Sequence, residues 1–253
     1  MVITLLTDFG ESEYVGMMKG VIARLCPNAK IIDLTHSIRK FDIRHACFVL
    51  WQSYRFFPKS TVFVVVVDPG VGTERRGIIL KTKDYIFIGP DNGVFTLIND
   101  VDKIIEIPRP KKASFTFHGR DVFAPIAAKI ACGAKIEELG SEIKSFKKLK
   151  IRKPERKGDK IFGEVLCIDA FGNIITNIPK EILNLEYNQS ITIKIKEKFK
   201  VRFLKSYGYA EKNELLALIG SADTLEIAVN QGNAAEKLGV KGGEEVVIII
   251  NNF

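Results

Sequence analysis

The 253-residue sequence lacks the signatures of a metal centre or a disulfide framework. Its four cysteines, Cys26, Cys47, Cys132 and Cys167, are scattered, and no two form a CxxC pair. With only three histidines, no zinc-type ligand spacing can be drawn, so no metal is expected. The expectation is four buried, inert thiols in a reducing cytoplasm. No apolar run approaches the ~20 residues that span a bilayer. The opening MVITLLTDFG has no basic segment and no small-residue cleavage site, so it reads as a first strand. P-loop, GxGxxG and GxSxG patterns are all missing, which removes the common nucleotide-phosphate and serine-hydrolase readings.

Acidic residues are outnumbered by basic ones, and the net charge is +8. That balance raises a nucleic-acid surface. The lysines are spread out, however, and concentrate only in the stretch from Lys144 to Lys160. This stretch lacks the repeated interleaved aromatics that stack on bases, so it reads as a solvated linker and no nucleic-acid partner is expected. Abundant Lys, Ile and Glu with few Met and Trp suits a thermophile.

The first half alternates apolar strands with amphipathic helices. Strands are expected at 2–7, 30–34 and 61–67, and a hairpin pair at 77–81 and 85–88. Helices are expected at 14–26, 42–54 and 121–131. The run 61–67 is apolar after Thr61 and, Phe63 apart, β-branched, as in a central strand buried on both faces. This order predicts a three-layer α/β domain with a mostly parallel sheet over residues 1–150. Beyond the basic stretch the sequence gives strands with few helices, at 161–169, 190–195, 198–203, 215–219 and 244–250, and one short helix at 234–238. Residues 158–253 therefore form a smaller β domain, a barrel or a sandwich.

Ligands in α/β sheets collect at the carboxyl ends of strands. Two strands here end in an acid before glycine-rich turns, TDFG (7–10) and VDPGVGTERR (67–76), and a third leads into GPDNG (89–93). Asp68 sits at the mouth of the most apolar strand, where a carboxylate needs a partner. Arg75 and Arg76 follow a turn that can bring either back to it. FHGRD (117–121) puts His118 beside the start of a helix. His36 and His45 read as structural. In the second half, Asp169 and Asn173 flank a Phe-Gly turn in IDAFGNIITN; the Asn carboxamide offers a donor and an acceptor together, the pattern that reads an adenine edge.

Taken in order, TDFG, YVGMMKG, DPGVGTERR, PDNG, TFHGRDVFAP, IDAFGNIITN and GSADTLEIA span nearly the whole chain. Together they resemble the S-adenosyl-L-methionine (SAM) hydrolases that form adenosine, also called SAM hydroxide adenosyltransferases, relatives of the enzymes that make 5′-halo-5′-deoxyadenosines. The resemblance implies an N-terminal α/β domain, a C-terminal β-barrel, and a homotrimer with sites between neighbouring subunits. It implies hydrolysis of SAM to adenosine and methionine with Asp68, Arg75 and His118 as the catalytic triad and no cofactor. It further implies Asp8 on the ribose hydroxyls, Phe41 against the sugar or base, Asn173 at the adenine, and Asp169 and Ser221 near the methionine amino-acid group. One departure follows Gly220-Ser221: the family often carries an aromatic or basic residue and then Gly, where this chain has Ala222 and Asp223.

Two alternatives share these motifs. A 5′-halogenase needs a donor-lined halide pocket, which the Asp68 carboxylate would oppose. A non-catalytic SAM- or adenosine-binding protein would keep Asp8 and Asn173 and could lose the triad.

Overall fold

The computed structural model describes residues 1–250. The chain divides into two compact units, one ending at Leu149 and the other beginning at Lys150.

The first unit holds β1 (Val2–Thr7), α1 (Glu13–Leu25), β2 (Lys30–Thr35), α2 (Ile43–Ser53), β3 (Val62–Val66), β4 (Gly77–Thr82), β5 (Ile86–Pro90), β6 (Val101–Ile107), α3 (Ala124–Ala131) and β7 (Ser141–Glu142). Its sheet runs β2-β1-β3-β5-β4-β6-β7. The first four strands in that order are parallel, and β4, β6 and β7 extend them antiparallel. Strand β6 was not expected from the sequence.

Strand periodicity divides the core. Val62, Val64 and Val66 join α1 and α3 on one face, whereas Phe63, Val65 and Val67 pack with Ala46 and Leu50 of α2 on the other. All five residues of β3 are buried, as its apolar composition requires. The same parity, carried two residues past Val66, aims Asp68 toward the α1/α3 side.

The helix expected at 121–131 begins differently. Gly119–Phe123 forms a π-helical turn, and regular α3 starts at Ala124 with Pro125 in its first turn. Such wide turns recur at functional sites. The basic stretch is also more fixed than a solvated linker. Phe146 packs against the α2-side core, the Lys147 amide donates to Asp91 (2.6 Å), and the Leu149 amide donates to Thr96 Oγ1 (2.7 Å).

The second unit contains β8 (Glu155–Lys157), β9 (Lys160–Ile168), β10 (Ile174–Pro179), β11 (Ser190–Lys194), β12 (Lys198–Phe203), β13 (Leu215–Ile219), β14 (Thr224–Val229), α4 (Ala234–Leu238) and β15 (Glu245–Ile250). The order β10-β14-β13-β12-β11-β15-β9 closes through β9–β10 pairing into a seven-stranded barrel, with β8 added beside β9. Closure removes the open edges that a sandwich would leave. Its interior is filled by alternate residues such as Ile191, Ile193, Val246 and Ile248.

One expectation is corrected. Cys26 and Cys132 are joined by a disulfide, so only Cys47 and Cys167 are free, buried thiols. Cys26 ends α1 and Cys132 ends α3, and packing of these helices brings the two Cα atoms to 5.8 Å. A separation of 106 residues carries no pairing signal in the sequence. Among the described residues, no helix is long and apolar enough to cross a membrane.

Closing a loop this long restricts the unfolded chain, so Cys132→Ser should lower unfolding free energy by about 2–4 kcal/mol. Denaturant titration measures the loss, and alkylation of all four cysteines in denaturant without reductant would contradict the disulfide.

Candidate active site

The carboxyl ends of β1 and β3, the segment before α3, and the loop after β2 surround one cavity of about 340 Å³. Asp8, Phe41, Asp68 and His118 all face it. Four of the residues named from the sequence are thus collected in the first unit, and Arg75 stands behind two of them.

Asp68 and Arg75 form the centre. Their side chains are 4 % and 9 % exposed. Arg75 Nε donates to Asp68 Oδ1 (3.2 Å), and Nη2 donates to Oδ2, giving a two-pronged pair. The Gly70 amide also donates to Asp68 Oδ1 (3.2 Å). The turn between them depends on Gly72. Its φ is +79°, and a Cβ there would lie 2.2 Å from the Phe115 carbonyl oxygen, so any side chain would push the two loops apart.

The remaining Arg75 donors are committed too. Nη1 donates to the Arg76 carbonyl (2.9 Å), Nη2 reaches His118 Nδ1 at 3.0 Å, and the guanidinium lies over the Phe123 ring (5.5 Å). A guanidinium only donates, so His118 Nδ1 must be the acceptor, and in the neutral ring the proton sits on Nε2. Burial, with the positive charge of Arg75 next, holds His118 below the ordinary imidazole value. His118 Nε2 is buried and has no partner among the described residues. An unpartnered buried donor calls for a bound water or ligand.

Asp8 accepts from the Phe41 amide (2.8 Å), which ties the β1 end to the loop after β2. Phe41 has φ +67° and is 67 % exposed, so its ring stands at the cavity mouth and not in the core. Phe9, Tyr14 and Phe117 meet edge to face, with centroids 5.0 to 6.0 Å apart, and build an aromatic wall.

Several contributors escaped the sequence reading. Ser12 lines the cavity with a buried hydroxyl that has no partner among the described residues. Asn92 of the PDNG turn donates to the Val67 carbonyl (2.9 Å) and accepts from the Val94 amide (3.2 Å), clamping the residue before Asp68. Arg76 pairs with Asp91 instead of Asp68 (Nε to Oδ2, 2.9 Å), so the two arginines are separated in role. PDNG signals a turn in any sequence; only the fold shows what its Asn holds.

The other candidates lie in the barrel unit. Asp169 accepts from the Phe171 and Asn173 amides (2.9 and 2.8 Å) and from the Asn173 side chain (2.8 Å). It thus shapes the turn and orients the buried Asn173 side chain. Ser221 is exposed in the β13–β14 turn. Nearby in this unit, buried Glu226 accepts from the Tyr207 hydroxyl (2.5 Å), and desolvation raises both groups' pKa values. Among the described residues, no three His, Cys, Asp or Glu side chains form a metal-ligand group.

The N-terminal domain of the SAM hydroxide adenosyltransferases matches residues 3–140, and their C-terminal domain matches residues 163–247. The chain belongs to this family. It is 40 % identical to a protein named (R)-S-adenosyl-L-methionine hydrolase from Methanocaldococcus jannaschii, over 98 % of this chain and 95 % of the relative. A fluorinase from an Actinoplanes species is more distant, at 27 % identity over 70 % of this chain and 71 % of its own. The crystal structure of an uncharacterised conserved protein from Thermotoga maritima superposes with a TM-score of 0.90 at 44 % identity, covering 98 % of this chain and all of the other.

Because burial, and next the charge of Arg75, disfavour the imidazolium, His118 should titrate below pH 6.5, and the Arg75 bond to Nδ1 makes the neutral ring the Nε2–H tautomer. Histidine-labelled NMR reads both. Arg75→Met should raise the midpoint, since it removes the positive charge and frees Asp68 to favour the imidazolium. A wild-type midpoint at or above 6.5 would contradict the arrangement. The sign for stability follows: the neutral ring is favoured by folding, so this contribution is intact above 6.5 and is lost as pH falls below it.

Proposed function

We propose that this protein hydrolyses S-adenosyl-L-methionine to adenosine and L-methionine by attack of water on the ribose C5′. The observation that carries the reading is the buried Asp68–Arg75–His118 constellation, whose Asp68 and His118 both face the cavity lined by Asp8 and Phe41. Relatives named as SAM hydrolases, similar over nearly the full chain, support it.

The sulfonium makes methionine a good leaving group, so departure needs no acid and no metal or cofactor is invoked. The nucleophile is the difficulty. A water lying between Asp68 and His118 donates one hydrogen to the carboxylate and accepts from Nε2–H, which leaves a lone pair for C5′. Holding that oxygen opposite sulfur at ~3–3.5 Å supplies several kcal/mol through orientation alone. Asp68 is the proton acceptor. His118, with its proton on Nε2, positions the water and does not serve as the base. Arg75 holds the Asp68 carboxylate in place and keeps His118 in the donating tautomer.

Asp8 lies at the cavity as an acceptor for the ribose hydroxyls, and Phe41 is placed to cover the sugar or base. Asn173 reads the adenine edge, with Asp169 and Ser221 toward the methionine end. No single unit carries both the ribose carboxylate and the adenine-reading amide. We therefore propose a homotrimer in which a neighbour's barrel completes each site. A cytoplasmic location fits a SAM-consuming enzyme, and a disulfide inside the cell is characteristic of hyperthermophile proteins. A halogenase reading is disfavoured by the carboxylate at the nucleophile position, where it would repel a halide.

The assay is incubation of the purified protein with each sulfur epimer of SAM and chromatography of the products. Adenosine and methionine should appear in equal amounts, faster from the (R) epimer for which the relatives are named. Asp68→Ala should lower kcat by about 10²–10⁴ with SAM binding largely kept; wild-type turnover in that variant at saturation would remove Asp68 from water activation. Sedimentation should give three copies per particle, and an active monomer at dilution would refute the shared site.

A further inference from the structure

A second cavity, of about 210 Å³, lies on the other side of the triad. His118 borders both cavities, and Arg75, which holds Asp68, borders the rear one. The triad is therefore a partition with open space before and behind it. We propose that the rear cavity is the route by which water reaches the triad and by which the proton released in each turnover leaves, while SAM occupies the front cavity. The inference rests on the hydrolytic reading given above.

Size separates the two spaces. Pockets for drug-sized ligands run about 300–1,000 Å³, a range that holds the front cavity and not the rear, whereas one water occupies about 30 Å³ of liquid. The rear walls are largely charged. Glu74, Arg76, Glu106 and Arg109 line them, and Arg109 is exposed at the surface, stacked over Phe115 (4.9 Å). A polar space of this size holds water. His118 lines this space as well as the front cavity, so the two meet at its ring.

The chemistry requires the traffic. SAM carries a net positive charge from its sulfonium, whereas adenosine and zwitterionic methionine carry none. In the step, the water oxygen bonds to C5′, the C5′–S bond breaks with its electron pair going to sulfur, and the water's proton passes to Asp68. One water is consumed and one proton must reach solvent per turnover. With an adenosyl group seated against Asp68 and His118, the front approach is filled by the substrate itself. The rear cavity reaches His118, and Arg75 behind Asp68, without passing the substrate.

Plugging the rear cavity tests this. Glu74 and Pro108 are exposed residues on separate segments of its wall, outside the triad. Glu74→Trp and Pro108→Trp, singly and together, should lower kcat for SAM at least tenfold in the double variant. The solvent deuterium isotope effect on kcat should rise as proton exit becomes limiting, and the dissociation constant for adenosine should stay unchanged. Glu74→Ala and Pro108→Ala, which leave the space open, should remain within about twofold of wild type. Wild-type kcat in the double Trp variant, or equal losses in the Trp and Ala variants, would overturn the route. So would loss of adenosine binding, since it would place these residues in the substrate site. Absence of adenosine formation by the wild-type protein would instead defeat the hydrolytic reading itself.

Discussion

The buried pairing of Asp68 with Arg75 is the constraint on which the rest of the site depends. Strand β3 is entirely buried, and it delivers a carboxylate two residues past its end into a place where an unpaired charge would be costly. Arg75 offsets that cost, and every direction of its guanidinium is in use: two bonds to Asp68, one to the Arg76 carbonyl, one to His118 and a face against Phe123. The turn geometry at Gly72 and the Asn92 clamp on Val67 both serve this pairing. Removing one partner of such a pair leaves a buried charge uncompensated, a loss of about 3–5 kcal/mol.

That one arginine also sets the chemistry. By donating to Nδ1 it decides which nitrogen of His118 carries the proton, so the neutral histidine is a hydrogen-bond donor at Nε2. A reaction with a sulfonium leaving group asks for little more than an oriented water and a place for its proton. The aromatic wall of Phe9, Tyr14 and Phe117 supplies apolar surface for a bulky substrate in front.

Much of this was legible in the sequence because it is local. Asp8, Asp68 and His118 sit in turns whose glycines and prolines mark strand ends or helix starts, and the apolar run before Asp68 could only be a central strand. The hairpin of β4 and β5 and the short α4 were equally readable from alternation and periodicity. What escaped was long-range or atypical. Strand β6 mixes Asp102, Lys103 and Glu106 with apolar residues and lacks a clean period. Strand β10 ends in Pro179, and β14 buries Glu226, so both broke the pattern expected of a strand. The Cys26–Cys132 disulfide, the Asn92 clamp and the Arg76–Asp91 pair depend on which distant segments meet, and spacing along the chain does not encode that. The basic stretch misled because composition reports solvation but not the backbone bonds at Lys147 and Leu149 that fasten it.

The central claim is that a water oxygen held by Asp68 and His118 becomes the 5′ oxygen of adenosine. The most direct measurement is turnover of SAM in ¹⁸O-enriched water, followed by mass spectrometry of both products. The account predicts one ¹⁸O in adenosine, located on C5′, and none in methionine. Adenosine without label, or a 5′-substituted product formed from another nucleophile in place of adenosine, would contradict it.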